Sequence, residues 1–234
     1  ATLHPGQPRR AHRMERFAER PCYAGVSWGK DSLVVAHLAW RLMRERGVVI
    51  PLVWGRVEPI GNPDCEAVRD AFLSTHPGLP YHETSAWCVP HHQPDDEKGI
   101  VHDYGWTARG TLEEALSKAH VLVGSDRYVS GIRGAESGQR KARMRAHGVS
   151  TEKTCAPLGY WTARTVFAYL HHYDLPVHPA YACMGNGVLW ERERLRVSVL
   201  GRVSGQGHGR WDWEWRYYGD RMRELTQMAK DALS

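Results

Sequence analysis

A short apolar run, a polar loop, an amphipathic stretch and a second apolar run follow one another between residues 22 and 54, and this unit constrains the fold most. Cys22 to Val26 reads as a short buried strand. Residues 33–46 place Val35, Leu38, Ala39 and Leu42 at the i, i+3, i+4, i+7 spacing of one helical face. Gly47 then stands where a helix C-cap favours glycine. Val48 to Trp54 (VVIPLVW) is β-branched and apolar, a second strand. Strand, tight loop, helix, strand predicts two parallel strands joined by a right-handed crossover.

The rest of the chain repeats this alternation. Asn62-Pro63 supplies an N-cap followed by proline at the first helical position, opening a helix to about Thr75. Leu79 to Thr84 is predicted as a third strand, and residues 88–110 as a long polar loop. Thr111 and Glu114 form a capping box before a short helix. Val121 to Val123 and Tyr128 to Ile132 read as strands, and Glu136 to Ala146 as a strongly basic helix. Thr162 caps a helix from Ala163 to Tyr173, which Pro176 stops. The predicted fold class is α/β, a doubly wound, mostly parallel sheet with a small C-terminal appendage. Three segments are expected: a basic, poorly ordered arm leading into a short basic helix over residues 1–20, an α/β domain over 21–200, and a Gly/Trp-rich loop with a C-terminal helix over 201–234. Trp211, Trp213 and Trp215 have the period-two spacing of a half-buried strand edge, so packing is favoured over nucleobase stacking.

With 42% hydrophobic and 24% charged residues, the chain has the composition of an ordinary globular protein. No apolar stretch approaches the roughly 18 residues of a membrane span. Residues 1–20 lack the apolar core of a secretory signal, and Glu15 and Glu19 count against a mitochondrial presequence, so a cytoplasmic location is expected. Five dispersed cysteines suit free thiols rather than a disulfide framework. The net charge of +5, carried mainly by arginine, mildly favours anionic partners.

Chemistry concentrates in Ser27-Trp28-Gly29-Lys30-Asp31-Ser32, where a strand hands over to a helix. The unpaired N–H groups and the dipole of a helix start make an anion site there. Gly29 permits close backbone approach, Ser27 and Ser32 can donate hydroxyl hydrogen bonds, and Lys30 can neutralise phosphate charge. Asp31 is the candidate metal residue, holding Mg²⁺ against phosphates. Lys30 and Asp31 are expected to be exposed and to contribute little to packing. The Walker phosphate loop is excluded, because Ala24 stands at its first glycine and Asp31 at its Ser/Thr.

This loop resembles the S-G-G-x-D-S pyrophosphate loop of the adenine nucleotide α-hydrolase superfamily, with Trp28 at the second position. Gly131-Ile132-Arg133-Gly134-Ala135-Glu136-Ser137-Gly138-Gln139-Arg140 is similar to the G-x-R-x-x-E-S-x-x-R pattern of its phosphoadenosine phosphosulfate (PAPS) reductase branch. Pro157 to Thr162, followed by Val166, Tyr169, Leu175-Pro176 and Tyr181, resembles that branch's P-[IL]-x-x-W-T segment. The resemblance implies that Ser27, Trp28, Gly29, Lys30, Asp31 and Ser32 cradle the phosphates of ATP or PAPS. It also implies that Arg133 and Arg140 reach the phosphate or sulfate end, with Glu136 and Ser137 starting a helix and orienting them. Lys30, Asp31 and Arg133 are the expected catalytic residues.

The pattern breaks where reduction would occur. After Cys183 the chain has no cysteine, so the tail thiol motif E-C-G-L-H is missing. The Cys-Cys and Cys-x-x-Cys pairs that hold an iron–sulfur cluster are also missing, and no cluster is expected. The leading expectation is therefore attack on the α-phosphate of ATP, yielding AMP attached to an acceptor, for sulfur or amine insertion among other outcomes. A sulfonucleotide reductase is the second reading, and a nucleic-acid-binding module using the N-terminal arginines and the Trp-rich tail the third. A sulfur-donor protein and a homo-oligomeric assembly are further expected partnerships, while no membrane is expected. Cys88, His91, His92 and His102 have no matching second pair for structural zinc.

Overall fold

Apolar residues at alternate positions of β1 (Tyr23–Val26) and β2 (Leu52–Glu58) face two different layers, and this places both strands inside the molecule. Ala24, Val26, Leu52 and Trp54 join the main core, while Tyr23 and Val53 meet Ala119 on the opposite face. The computed structural model describes residues 13–87, 111–183, 197–200 and 210–231. Five strands form one sheet in the order β3-β2-β1-β4-β5, all parallel, with β3 at Tyr81–Trp87, β4 at Tyr128–Val129 and β5 at Thr154–Cys155. Helices cover both faces, so the predicted doubly wound α/β sheet is the observed fold.

After a helical turn at residues 13–17, α1, the chain enters β1. Helix α2 (Lys30–Arg46) follows and ends at Gly47, whose φ of 68° is the left-handed cap that glycine adopts without strain. It was expected to bury one face. Instead Ser32 through Ala39 are all buried, because the helix lies between the sheet and α6 (Ala163–His172). Helix α3 (Asp64–Thr75) opens with Asn62 Oδ1 accepting from Asp64 N at 3.0 Å, and Thr162 caps α6 by accepting from Thr165 N. Both caps match the residues predicted for them.

Several boundaries moved. The second strand starts at Leu52, since Pro51 has no N–H for a ladder, although its carbonyl accepts from Ala24 N at 2.8 Å. It runs on to Glu58, and β3 likewise runs to Trp87 rather than Thr84. Val121 to Val123 is the last turn of α4 (Thr111–Val123), a longer helix than predicted. The apolar triplet faces outward in part, with Val121 84% exposed. A triplet carries no period, which is why helix and strand could not be told apart there. The strand predicted over Tyr128 to Ile132 pairs only at Tyr128–Val129. The basic helix starts later than expected. Gly134–Glu136 is a short 3₁₀ turn, and α5 spans Gly138–His147 with Ser137 as its cap.

Both ends of the described chain pack onto the sheet domain. Met14 and Phe17 sit in the short helix expected at the end of the arm and are buried at 0% and 4% exposure. Arg127 fastens them. Its guanidinium donates to the carbonyls of Arg20 and Glu152, each at 2.9 Å, and lies 4.1 Å from the Phe17 ring centroid. A four-residue α7 (Ala180–Cys183) follows α6, and α8 (Arg210–Asp231) is the terminal helix. The Trp-rich segment is therefore helical and not a strand edge. Met222 and Leu225 bury against Val57, Ile60 and Leu200, and Tyr218 donates to Asp64 Oδ2 at 2.6 Å. Tertiary burial of this 3.6-period set overrides the tryptophan spacing. The long loop at 88–110, the Gly-rich stretch and residues 1–12 lie outside the described residues.

Two tests follow from this packing. Gly131 presses on the first turn of α2, where an added Cβ would lie 2.8 Å from the Asp31 carbonyl carbon. Gly131→Ala should cost about 1–3 kcal/mol through overpacking, measured by urea unfolding. His37 is buried beside Tyr169 Oη (2.9 Å), and burial holds its pKa down at about 3. A depressed histidine stays neutral when folded, so the unfolded chain takes up the extra proton below about pH 6.5 and stability falls with pH. From about pH 7 to about pH 5 this group should account for about 2 kcal/mol of lost stability. His37→Gln should show a shallower loss over the same range.

Candidate functional site

Three residues turn the chain from β1 into α2, and the turn depends on Trp28. Its φ is 59°, a left-handed conformation that a bulky residue rarely adopts. The indole is fully buried, with ring centroids 6.5 Å from Trp54, 5.8 Å from Phe72 and 5.7 Å from Tyr81. Core burial of a large aromatic offsets a backbone strain of about 1–3 kcal/mol. The side chain of Trp28 thus faces the core, leaving only its backbone to the loop.

The loop is stitched internally. Ser27 N donates to Ser32 Oγ at 3.1 Å, and Ser32 Oγ donates to the Gly29 carbonyl at 3.1 Å. Lys30 N donates to Tyr181 Oη at 3.3 Å. A Cβ on Gly29 would lie 3.2 Å from that hydroxyl and 3.3 Å from Val197 Cγ2, so glycine is what lets the loop sit against Tyr181. Gly29 gives the helix no side-chain cap, and Tyr181 takes the Lys30 N–H, which leaves the Asp31 and Ser32 N–H groups as the first-turn donors beside the cleft.

That cleft has a volume of about 210 Å³ and lies beyond the carboxyl ends of β1 and β4. The sheet order reverses between those strands, and ligands of open α/β sheets bind at such a switch point. The expected residues Ser27, Gly29, Asp31, Ser32, Glu136 and Arg140 line it. Tyr181, Gly131, Val197 and Ser198 also line it and had no predicted role. Tyr181 belongs to the quoted family segment, but nothing local in the sequence shows that it folds over the loop. The volume is below the roughly 300–1,000 Å³ of pockets that enclose a whole drug-sized ligand, and suits a phosphate chain.

Lys30 and Arg133 stand behind the cleft wall. Lys30 is 2% exposed, and its Nζ donates to Asp31 Oδ2 at 2.8 Å while lying 5.3 Å from the Tyr181 ring centroid. Arg133 is 0% exposed and donates through Nε to Asp31 Oδ1 at 2.7 Å and through Nη1 to the Trp161 carbonyl at 3.4 Å. The expectation that Lys30 and Asp31 are exposed and marginal to packing is corrected here. Trp161 is itself core. Glu136 accepts from Arg133 N at 3.1 Å and also pairs with Arg140, while Ser137 Oγ accepts from Arg140 N at 3.2 Å. Glu136 and Ser137 therefore start the helix and fix Arg140 at the rim.

Both oxygens of Asp31 already carry a cationic partner, so the side chain is not arranged as a Mg²⁺ ligand. No group of three acidic, histidine or cysteine residues suited to a metal occurs among the described residues. Cys22, Cys65 and Cys155 are free and buried, and burial pushes their thiols up to about 11, about 12 and about 11. Such groups stay protonated and unreactive. Cys88 with the histidines near it, and the side chains of Cys183, Trp211 and Trp213, lie outside the described residues. No described helix is long and apolar enough to cross a membrane.

No curated protein matches the chain. Among solved structures, the PAPS reductase from Candida auris, a phosphate complex, is similar at 14% identity with a TM-score of 0.51, covering 75% of this chain and 84% of that one. The U34-tRNA thiolase from Methanococcus maripaludis, with its [4Fe-4S] cluster, is 12% identical with a TM-score of 0.47, covering 96% of this chain and 78% of that one. The Candida glabrata FMN adenylyltransferase in complex with ATP is 15% identical with a TM-score of 0.45, covering 77% of this chain and 61% of that one. The family model described as the phosphoadenosine phosphosulfate reductase domain matches residues 21–184. The sheet, the loop at the start of α2 and the Arg133 segment all fall within that match, and the chain belongs to the PAPS reductase family.

Proposed function

We propose that this chain binds ATP with its β,γ-phosphates in the Ser27–Ser32 loop and transfers the AMP moiety to an acceptor. The observation that carries this reading is the cleft at the strand switch point, floored by the α2 N-terminus and walled by Ser27, Ser32 and Arg140. A nucleophilic atom of the acceptor attacks the α-phosphorus, and the bond from that phosphorus to the bridging oxygen breaks. The electron pair leaves with pyrophosphate, and the acceptor gives up its proton. Helix N–H groups, hydroxyls and Arg140 stabilise the departing charge by standing in fixed positions beforehand. Arg133 and Lys30 are positioning residues that hold Asp31, and through it the first turn of α2. No protein-held metal enters this scheme, because the donor set does not fit one.

Family membership favours a second reading, reduction of PAPS to sulfite. It needs a thiolate, and the three described cysteines are buried away from the cleft and held as thiols. The reducing thiol would then come from Cys88, Cys183 or a separate protein. Products separate the two readings. With α- and γ-labelled ATP in magnesium buffer and a set of acceptors, the first predicts pyrophosphate with the α-label on the acceptor, or in AMP once an amine or sulfur nucleophile displaces it from the acceptor, and no ADP. PAPS offered with thioredoxin should release no sulfite. Rapid sulfite release without AMP from ATP would replace the first reading by the second.

Side-chain changes in the loop should split stability from binding. Ser27→Ala removes a hydroxyl from the cleft wall and should weaken ATP binding about 10-fold or more, with an unchanged melting temperature. Asp31→Ala strands the buried Arg133 charge and should cost about 3–5 kcal/mol of stability. Calorimetric titration and thermal unfolding of both variants check this. Equal destabilisation by the two would show that Asp31 is not the anchor.

A further inference from the structure

Helix α5 carries Arg140, Lys141, Arg143 and Arg145 in ten residues and contains no acidic residue. Its buried contact is Met144, which packs on Val149 and Ala156. Arg140 is paired with Glu136 at the cleft rim. Lys141, Arg143 and Arg145 are exposed, and none of them forms an ion pair with a described residue. Lys141 and Arg145 share one side of the helix and Arg143 lies on the other side with Arg140, so cations surround it; such a helix is self-repelling, and a phosphate backbone is the partner that relieves it.

A second, smaller cavity of about 80 Å³ lies between this helix and the β4–β5 edge. Arg140 and Arg143 meet the hydroxyl-bearing residues Ser130, Thr151 and Thr154 in its lining. That combination of arginine and hydroxyl donors suits phosphate oxygens rather than carboxylates of an acidic protein. Ile132 and Arg140 line both this cavity and the nucleotide cleft, so the two spaces adjoin. Beside the helix, Tyr160 is 63% exposed, with its hydroxyl 3.5 Å from the Met144 carbonyl, offering a ring on which a base can stack.

We infer that α5 and this cavity seat a single-stranded nucleic acid, its phosphates passing around the helix from Lys141 and Arg145 to Arg143 beside the cavity, and one nucleotide turned toward the mouth of the cleft at Arg140. The further statement that this strand is the acceptor rests on the AMP-transfer reading. A single strand is favoured because a stiff duplex cannot turn one nucleotide toward the mouth of the cleft without first unpairing it.

The test uses the full chain and a short fluorescein-labelled oligonucleotide, as RNA, as DNA and as the matching duplex, followed by anisotropy over a salt series. Lys141→Gln/Arg143→Gln/Arg145→Gln should bind the single strand at least 10-fold more weakly. Its log-affinity against log-salt slope should be shallower by about 2, from three lost single-strand phosphate contacts. Circular dichroism should show the fold intact and calorimetry the ATP affinity unchanged. Arg145→Gln alone, on an exposed position, keeps the test decisive if the triple variant unfolds. Its expected effect is a slope shallower by about 0.7.

Equal binding by the variants would overturn the seat. So would tighter binding of the duplex, or displacement of the strand by poly-aspartate at matched charge. If the strand binds through α5 while ATP never yields AMP, the AMP-transfer reading fails and the seat stands. If AMP forms but no label from α-labelled ATP reaches a bound strand, the acceptor role fails alone.

Discussion

The contact on which the site depends is the ion pair between Asp31 and Arg133. Arg133 has no solvent access, so its charge depends on its partners: Asp31 accepts from it at 2.7 Å, the Trp161 carbonyl takes a second donor, and Glu136 lies 4.0 Å away. An unpaired charge at that depth costs several kcal/mol, so Arg133 is retained at this depth through those acidic and carbonyl groups. Arginine suits the position because its planar fork presents separate donors in fixed directions, Nε to the carboxylate and Nη1 to the carbonyl. The same bond ties the first turn of α2 to the segment after β4. Two motifs separated by a hundred residues are thereby held on either side of one cleft.

A second constraint acts from the opposite side of the loop. Trp28 occupies a position where the superfamily's loop has glycine, and its positive φ shows why glycine suits that place. A tryptophan can hold the conformation only if the rest of the core grips its ring, and Trp54, Phe72 and Tyr81 do so. The loop is thus anchored by packing beneath and by charge beside it. Flexibility is removed before any ligand arrives, which is the condition for electrostatic stabilisation of a leaving group.

This arrangement divides the polar residues into two kinds. Ser27, Ser32 and Arg140 face the cleft and can touch an anion, whereas Lys30 and Arg133 act through Asp31 from behind it. The three described cysteines stand apart from both groups, in apolar surroundings that suppress the thiolate. The basic helix α5 continues the cleft outward, and among the described residues charged side chains rather than cysteines line this side.

Periodicity and capping residues determined the alternation of strands and helices, the parallel sheet, the Gly47 stop and the Asn62 and Thr162 starts. These are local effects, readable within a few residues. The loop and the Arg133 segment were legible for the same reason, since each is a short run of residues with a fixed chemical role. Orientation was not legible. That Lys30 turns inward, that Trp28 faces the core and that Tyr181 closes over Gly29 depend on residues far along the chain. The same holds for α8, where burial of Met222 and Leu225 against Val57 and Ile60 outweighed an alternating tryptophan pattern. Sequence determined which groups are present and which segments carry them. Only tertiary structure decided which charges are buried and which meet a ligand, because burial is set by neighbours that local sequence does not contain.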